Sequence, residues 1–122
     1  MSSYLFAPKS LPITSGNIIA FIECPIFVQQ GDLVRAFIFF YHTTDGPVIP
    51  SNVSASIYSG KTIQGATPVA IPNLVQWGNS DIGAYVFEYV VPADAPLGLY
   101  TLVWNGTYAG ASIQFLFPVK VI

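Results

Sequence analysis

The chain is 122 residues long, room for one domain of ordinary size and not for two. Six acids and four bases leave it far short of the roughly 30 charged residues an average chain of this length carries, and the mean hydropathy is +0.57. That composition excludes intrinsic disorder, and a net charge of −2 argues against nucleic acid as a partner.

Residues 1–16 read as a segment apart. Pro8, Pro12 and several serines favour an extended arm, while Tyr4, Leu5, Phe6, Leu11 and Ile13 each need a surface to rest on. From Ile18 onward no helical period is sustained, and turn signals recur at the spacing of an all-β sandwich or barrel. The first strand spans Ile18 to Val28 and is interrupted at Pro25, as an edge strand can be. After the turn Gln29-Gln30-Gly31-Asp32 comes the strand Leu33 to His42, apolar on both faces. Thr44-Asp45-Gly46-Pro47 turns the chain into Val53 to Tyr58, with Val53, Ala55 and Ile57 inward. Ser59-Gly60-Lys61 is a tight turn. Short strands follow at Ile63-Gln64 and at Val69 to Trp77, the latter broken at Pro72. Gly78-Asn79-Ser80-Asp81 leads into Ala84 to Val91, where Tyr85, Phe87, Tyr89 and Val91 share a face. A loop over 92–98 precedes Leu99 to Asn105, which aligns Tyr100, Leu102 and Trp104. Asn105-Gly106 is expected to open the last hairpin, and Ala111 to Val121 closes the chain with Ile113, Phe115, Phe117, Val119 and Val121 in register. The expected architecture is a single antiparallel β-sandwich of seven or eight strands over 17–122, preceded by the arm.

Two glycine–tyrosine pairs bracket the loop. Gly83-Ala84-Tyr85 and the run Val91-Pro92-Ala93-Asp94-Ala95-Pro96-Leu97-Gly98-Leu99-Tyr100 resemble the G-x-Y and V-P-x-D-A-P-x-G-x-Y signature of immunoglobulin-like sandwiches of the macroglobulin and bacterial Ig-like kinds. Gln30-Gly31-Asp32-Leu33 is similar to the lead-in to their second strand. The resemblance covers residues 26–121 and implies a fold and no activity. Cys24 stands alone, so the inter-sheet cysteine pair of antibody domains is absent.

Catalytic chemistry finds little to stand on. His42 ends a hydrophobic strand, and its neighbour Asp45 is already explained by an Asp-Gly-Pro turn. Cys24 reads as a small buried hydrophobe. Asp32, Asp45, Asp81 and Asp94 all sit beside turns; no D-x-D-x-D-G loop suggests calcium, and no zinc spacing or phosphate-binding glycine loop occurs. No cofactor or metal is expected. Trp77, just before a Gly-Asn-Ser-Asp loop, is the candidate for stacking on a sugar ring, whereas Trp104 reads as core. The longest uninterrupted apolar run, Ala36 to Tyr41, is far too short to span a membrane, and Ile18 to Val28, broken by Glu23 and Pro25 and lacking a basic region before it and a small-residue cleavage site after it, is not expected to be a signal peptide.

The collective signal lies in Leu33 to His42. A sandwich strand of a soluble monomer should be polar on one face. Here Leu33, Arg35, Phe37, Phe39 and Tyr41 alternate with Val34, Ala36, Ile38, Phe40 and His42. Either the arm folds back over the second face or another subunit covers it, and the two combine if the arm adds a strand to a neighbour's edge. The expected interface residues are Tyr4, Leu5, Phe6, Leu11 and Ile13 of the arm, with Val34, Ile38 and Phe40 of the strand. The function expected is that of a non-enzymatic subunit that self-assembles. The setting expected is a phage virion (tail, baseplate or capsid decoration), assembled in the host cytoplasm. The alternatives are a subunit of an extracellular filament or surface layer, and a glycan-binding module built on Trp77.

Overall fold

The computed structural model describes residues 9–15 (as backbone), 17–76 and 83–122. The strands run β1 (Lys9–Ser15), β2 (Ile18–Cys24), β3 (Phe27–Val28), β4 (Leu33–His42), β5 (Gly46–Pro47), β6 (Ser51–Ser59), β7 (Pro68–Ala70), β8 (Val75–Gln76), β9 (Ala84–Val90), β10 (Gly98–Tyr108) and β11 (Ala111–Val121). No helix occurs among the described residues, and so none is long and apolar enough to cross a membrane. One sheet has the order β1-β2-β4-β9-β8, with β5 on the end of β4; the other has the order β3-β11-β10-β6-β7. Neighbours pair antiparallel throughout except β3, which lies parallel to β11. The expected all-β sandwich is what forms. Its strand number exceeds the expectation because the chain adds an N-terminal strand and several two- or three-residue pieces.

Period-two alternation decides which side of each strand is buried. In β11, Ile113, Phe115, Phe117, Val119 and Val121 are buried and every residue between them is exposed. In β2, Ile18, Ala20, Ile22 and Cys24 are buried, while Phe21 and Glu23 are exposed. The two inner faces meet in one core. Trp104 stacks on Phe87 with ring centroids 5.0 Å apart, and Phe40 packs against both Tyr85 and Phe115. Each such side chain contributes roughly 1.5–3 kcal/mol by leaving water.

Pro25 does more than interrupt the first strand. It lies between β2 and β3, which belong to different sheets, so the chain changes layers where proline removes a ladder donor. Pro72 lies in a second crossing of this kind, from β7 in one sheet to β8 in the other, and the single strand expected over Val69 to Trp77 is therefore two. Ile63 and Gln64 form no strand. The hairpin turn expected at Asn105-Gly106 lies four residues later. β10 continues to Tyr108, and Ala109-Gly110 makes the turn. Gly106 instead stays in the strand, opposite a bulge in β6: between the pairs Asn105–Ser54 and Thr107–Ser51, Asn52 (φ 55°) and Val53 face Gly106 alone.

The turns use side chains as anticipated. Asp32 is buried, and its Oδ2 accepts the Gln29 backbone N–H at 2.7 Å, closing the turn before β4. Tyr100 buries its ring and donates its hydroxyl to the Pro96 carbonyl at 2.7 Å. Gly98, at φ 123°, supplies the backbone that starts β10 beneath it. Gly83 has a different reason. A Cβ there would lie 1.7 Å from the Val48 carbonyl oxygen, so only glycine lets the start of β9 meet the segment after β5.

Candidate functional site

β4 is central to the first sheet, and its ladders fix the sheet's outer face row by row. Glu23, Phe37, Val86 and Val75 form one row; Phe21, Phe39 and Ala84 the next; Ile19, Tyr41 and Pro47 a third. On the other side Arg35 stands opposite Glu88, and Leu33 opposite Val90. Phe21 and Phe39 pack with their rings tilted, centroids 6.2 Å apart. Two adjoining depressions share Phe37. One is lined by Arg35, Val75, Val86 and Glu88, the other by Phe21, Glu23 and Phe39. Phe21 is 39% exposed and Val75 61%. The face is therefore an apolar band where a solvated sheet would carry polar residues.

Its charges are few and mostly self-cancelling. Arg35 donates through Nε to Glu88 Oε2 at 2.8 Å, and its Nη2 bonds the same oxygen. Both side chains are about half exposed, so the pair adds little to stability. Its effect is to leave that end of the band without net charge.

The structure corrects the expected interface residues of β4. Val34, Ile38 and Phe40 are at most 2% exposed, because the second sheet covers the face they share. The face turned away from the second sheet is the one that carries Arg35. Leu11 and Ile13 lie on β1, paired with Ile22 and Ala20. Tyr4, Leu5, Phe6 and Trp77 lie outside the described residues, as does Asp81. Three members of the band escaped the sequence reading: Ile19, Phe21 and Val75. A signal was present for Ile19 and Phe21, since Glu23 shares their parity and marks the side that faces water.

The remaining candidates have local roles. His42 Nδ1 accepts the backbone N–H groups of Thr44 and Asp45, each at 3.1 Å, and its ring lies against Tyr108. Asp45 Oδ2 is 3.5 Å from the same nitrogen. The imidazole thus closes the turn into β5: Nδ1, the nitrogen through which a triad histidine donates to its carboxylate, here accepts two backbone N–H groups instead. Cys24 is fully buried, and burial pushes its thiol pKa up, which keeps the sulfur protonated and unreactive. Trp104 is core, as expected. Its indole N–H finds no partner among the described residues. No three His, Cys, Asp or Glu side chains come together among the described residues in a way that could hold a metal ion.

No family model matches the chain. No curated protein matches it either. Among solved structures it is similar to the neutral ceramidase of Pseudomonas aeruginosa, at 14% identity and a TM-score of 0.46, over 99% of this chain and 19% of that one. At that identity and score the likeness assigns neither fold family nor activity.

Proposed function

We propose that the chain is a non-enzymatic structural domain of immunoglobulin-like topology that binds further copies of itself through the outer face of its first sheet. The topological part is supported by strand order. β2-β4-β9-β8 against β11-β10-β6 follows the ABED and GFC order of such domains, and the Tyr100 hydroxyl bond to Pro96 is the corner their sixth strand uses. The functional part is carried by one observation: the apolar side chains of Phe21, Phe39, Val75 and Val86 lie, at least partly exposed, on the face of the first sheet turned away from the second. A band with an internally neutral ion pair can pack on itself across a two-fold axis without opposing like charges. The phage virion, as tail, baseplate or capsid decoration, is the setting we propose for that subunit; it rests on analogy between folds.

Sedimentation velocity tests the contact. The wild-type chain is expected to associate at micromolar concentration, and the double variant Phe21→Ser, Phe39→Ser to weaken that association at least about tenfold while melting as cooperatively as the wild type. A wild-type chain that stays monomeric at millimolar concentration would overturn the reading, as would a double variant that associates unchanged.

A further inference from the structure

A second surface, the edge of β11, also bears on assembly. β11 is eleven residues long and pairs with β10 along its full length. On its other side it meets β3 only at Lys120 and Val121, where Lys120 N–H bonds Ile26 and Ile122 N–H bonds Val28. Backbone groups alternate sides in a strand, so the residues of Lys120's parity hold their N–H and C=O away from β10. These are Ser112, Gln114, Leu116 and Pro118. β1 of the first sheet passes near β11, yet neither it nor any other described segment forms a backbone hydrogen bond with these residues.

An edge of this kind is normally protected by charge, proline, a bulge or shortness. Ser112 to Phe117 has none of these. It carries no charge, its register with β10 is unbroken, and its outward side chains Ser112, Gln114 and Leu116 are exposed. Protection begins only at Pro118 and Lys120, beside the part β3 already covers.

We propose that this edge pairs antiparallel with the same edge of a second copy, across a two-fold axis centred on Gln114. An antiparallel edge is its own complement. With Gln114 opposite Gln114, Ser112 of each copy faces Leu116 of the other, and all three residues exchange both backbone bonds with their partners. No charged residues oppose each other within that span. The contact is separate from the outer-face contact and does not depend on it.

Cysteine cross-linking in the full chain tests the register. Opposed residues that exchange both bonds have Cα atoms about 5.5 Å apart, within disulfide range. Under mild oxidation Gln114→Cys is expected to form a covalent dimer and Ser112→Cys alone to form none. A mixture of Ser112→Cys with Leu116→Cys is expected to form the mixed dimer. Leu116→Pro removes an outward N–H that the chain itself does not use. It is expected to keep the wild-type fold and to expose the Ser112 and Gln114 amides to exchange at least about tenfold faster. The proposal is overturned if Gln114→Cys stays monomeric, or if Ser112→Cys cross-links as readily. It is equally overturned if the wild-type amides of Ser112, Gln114 and Leu116 exchange at open-chain rates at millimolar concentration. The Phe21→Ser, Phe39→Ser background separates the two contacts, since the cross-link is expected to survive in it.

Discussion

Ala109 and Gly110 carry β10 into β11 in two residues, and Ala109 does so at φ 50°. Both central residues of this turn have positive φ, Gly110 at 79°, which is the geometry whose twist matches antiparallel strands. Alanine fits it poorly, because its Cβ crowds the neighbouring carbonyl and costs about 1 kcal/mol. Asparagine tolerates the same backbone. Ala109→Asn is therefore expected to raise stability by about 1 kcal/mol, read as a higher midpoint in urea with an unchanged slope. A lower midpoint would mean that Ala109 makes a contact worth more than the strain. The sequence reading placed this turn at Asn105-Gly106, where the residue types suit a hairpin better. Longer pairing of β10 with β11 outweighed that local preference, and Gly106 stayed in the strand, opposite a bulge in β6.

The inner faces of the strands were legible wherever a charge or an alternating polar residue marked the opposite side. β11 could be read position by position, because Gln114 and Lys120 punctuate its apolar residues. β4 could not, since Arg35 is the one charge on either face and both faces are otherwise apolar; the reading chose Val34, Ile38 and Phe40, the face the second sheet buries. Crossings between sheets were invisible for a different reason. Pro25 and Pro72 announce a break but not which layer the chain enters next, because that depends on pairing with strands distant in sequence. Burial along these inner faces has a consequence at high pH. It raises the pKa of the Cys24 thiol on β2, and those of Tyr85 and Tyr89 on β9 and Tyr100 on β10; for Tyr89 the nearby Tyr100 adds to the rise. Each group stays neutral in the folded chain at a pH where the unfolded chain has released its proton. Their contribution is thus complete below the unfolded pKa and is lost above it. Stability is expected to hold to about pH 8.5, then fall as the unfolded Cys24 ionises, and fall more steeply beyond about pH 10 as the tyrosines follow. Ionisation of the fully buried Cys24 removes at most about 1.4 kcal/mol per pH unit, and each of the more solvent-accessible tyrosines removes less. Cys24→Ala is expected to delay the onset toward pH ~10. Urea midpoints taken across this range check it, and a flat profile to pH ~11 would contradict it.

At the scale of the molecule, the scarcity of charge falls where contact is proposed. The outer face of the first sheet holds its Arg35 and Glu88 paired, and the free span of β11 holds none. The face and the edge lie on different sheets, so their two-fold axes do not coincide. One two-fold contact closes at a dimer, whereas two distinct ones on the same chain carry assembly past the dimer, closing into a dihedral oligomer where the axes intersect and running on as an open chain where they do not. The wild-type chain is therefore expected to grow in mass with concentration beyond the dimer, read by light scattering. Removing the face contact with Phe21→Ser and Phe39→Ser, or the edge contact with Leu116→Pro, is expected to stop growth at the dimer. Removing both is expected to leave a monomer. Salt at about 0.5 M is expected to change these masses little, because screening acts on charges the contacts do not use. A wild-type plateau at the dimer would show that only one of the two contacts operates, and the variant that abolishes that dimer would identify which.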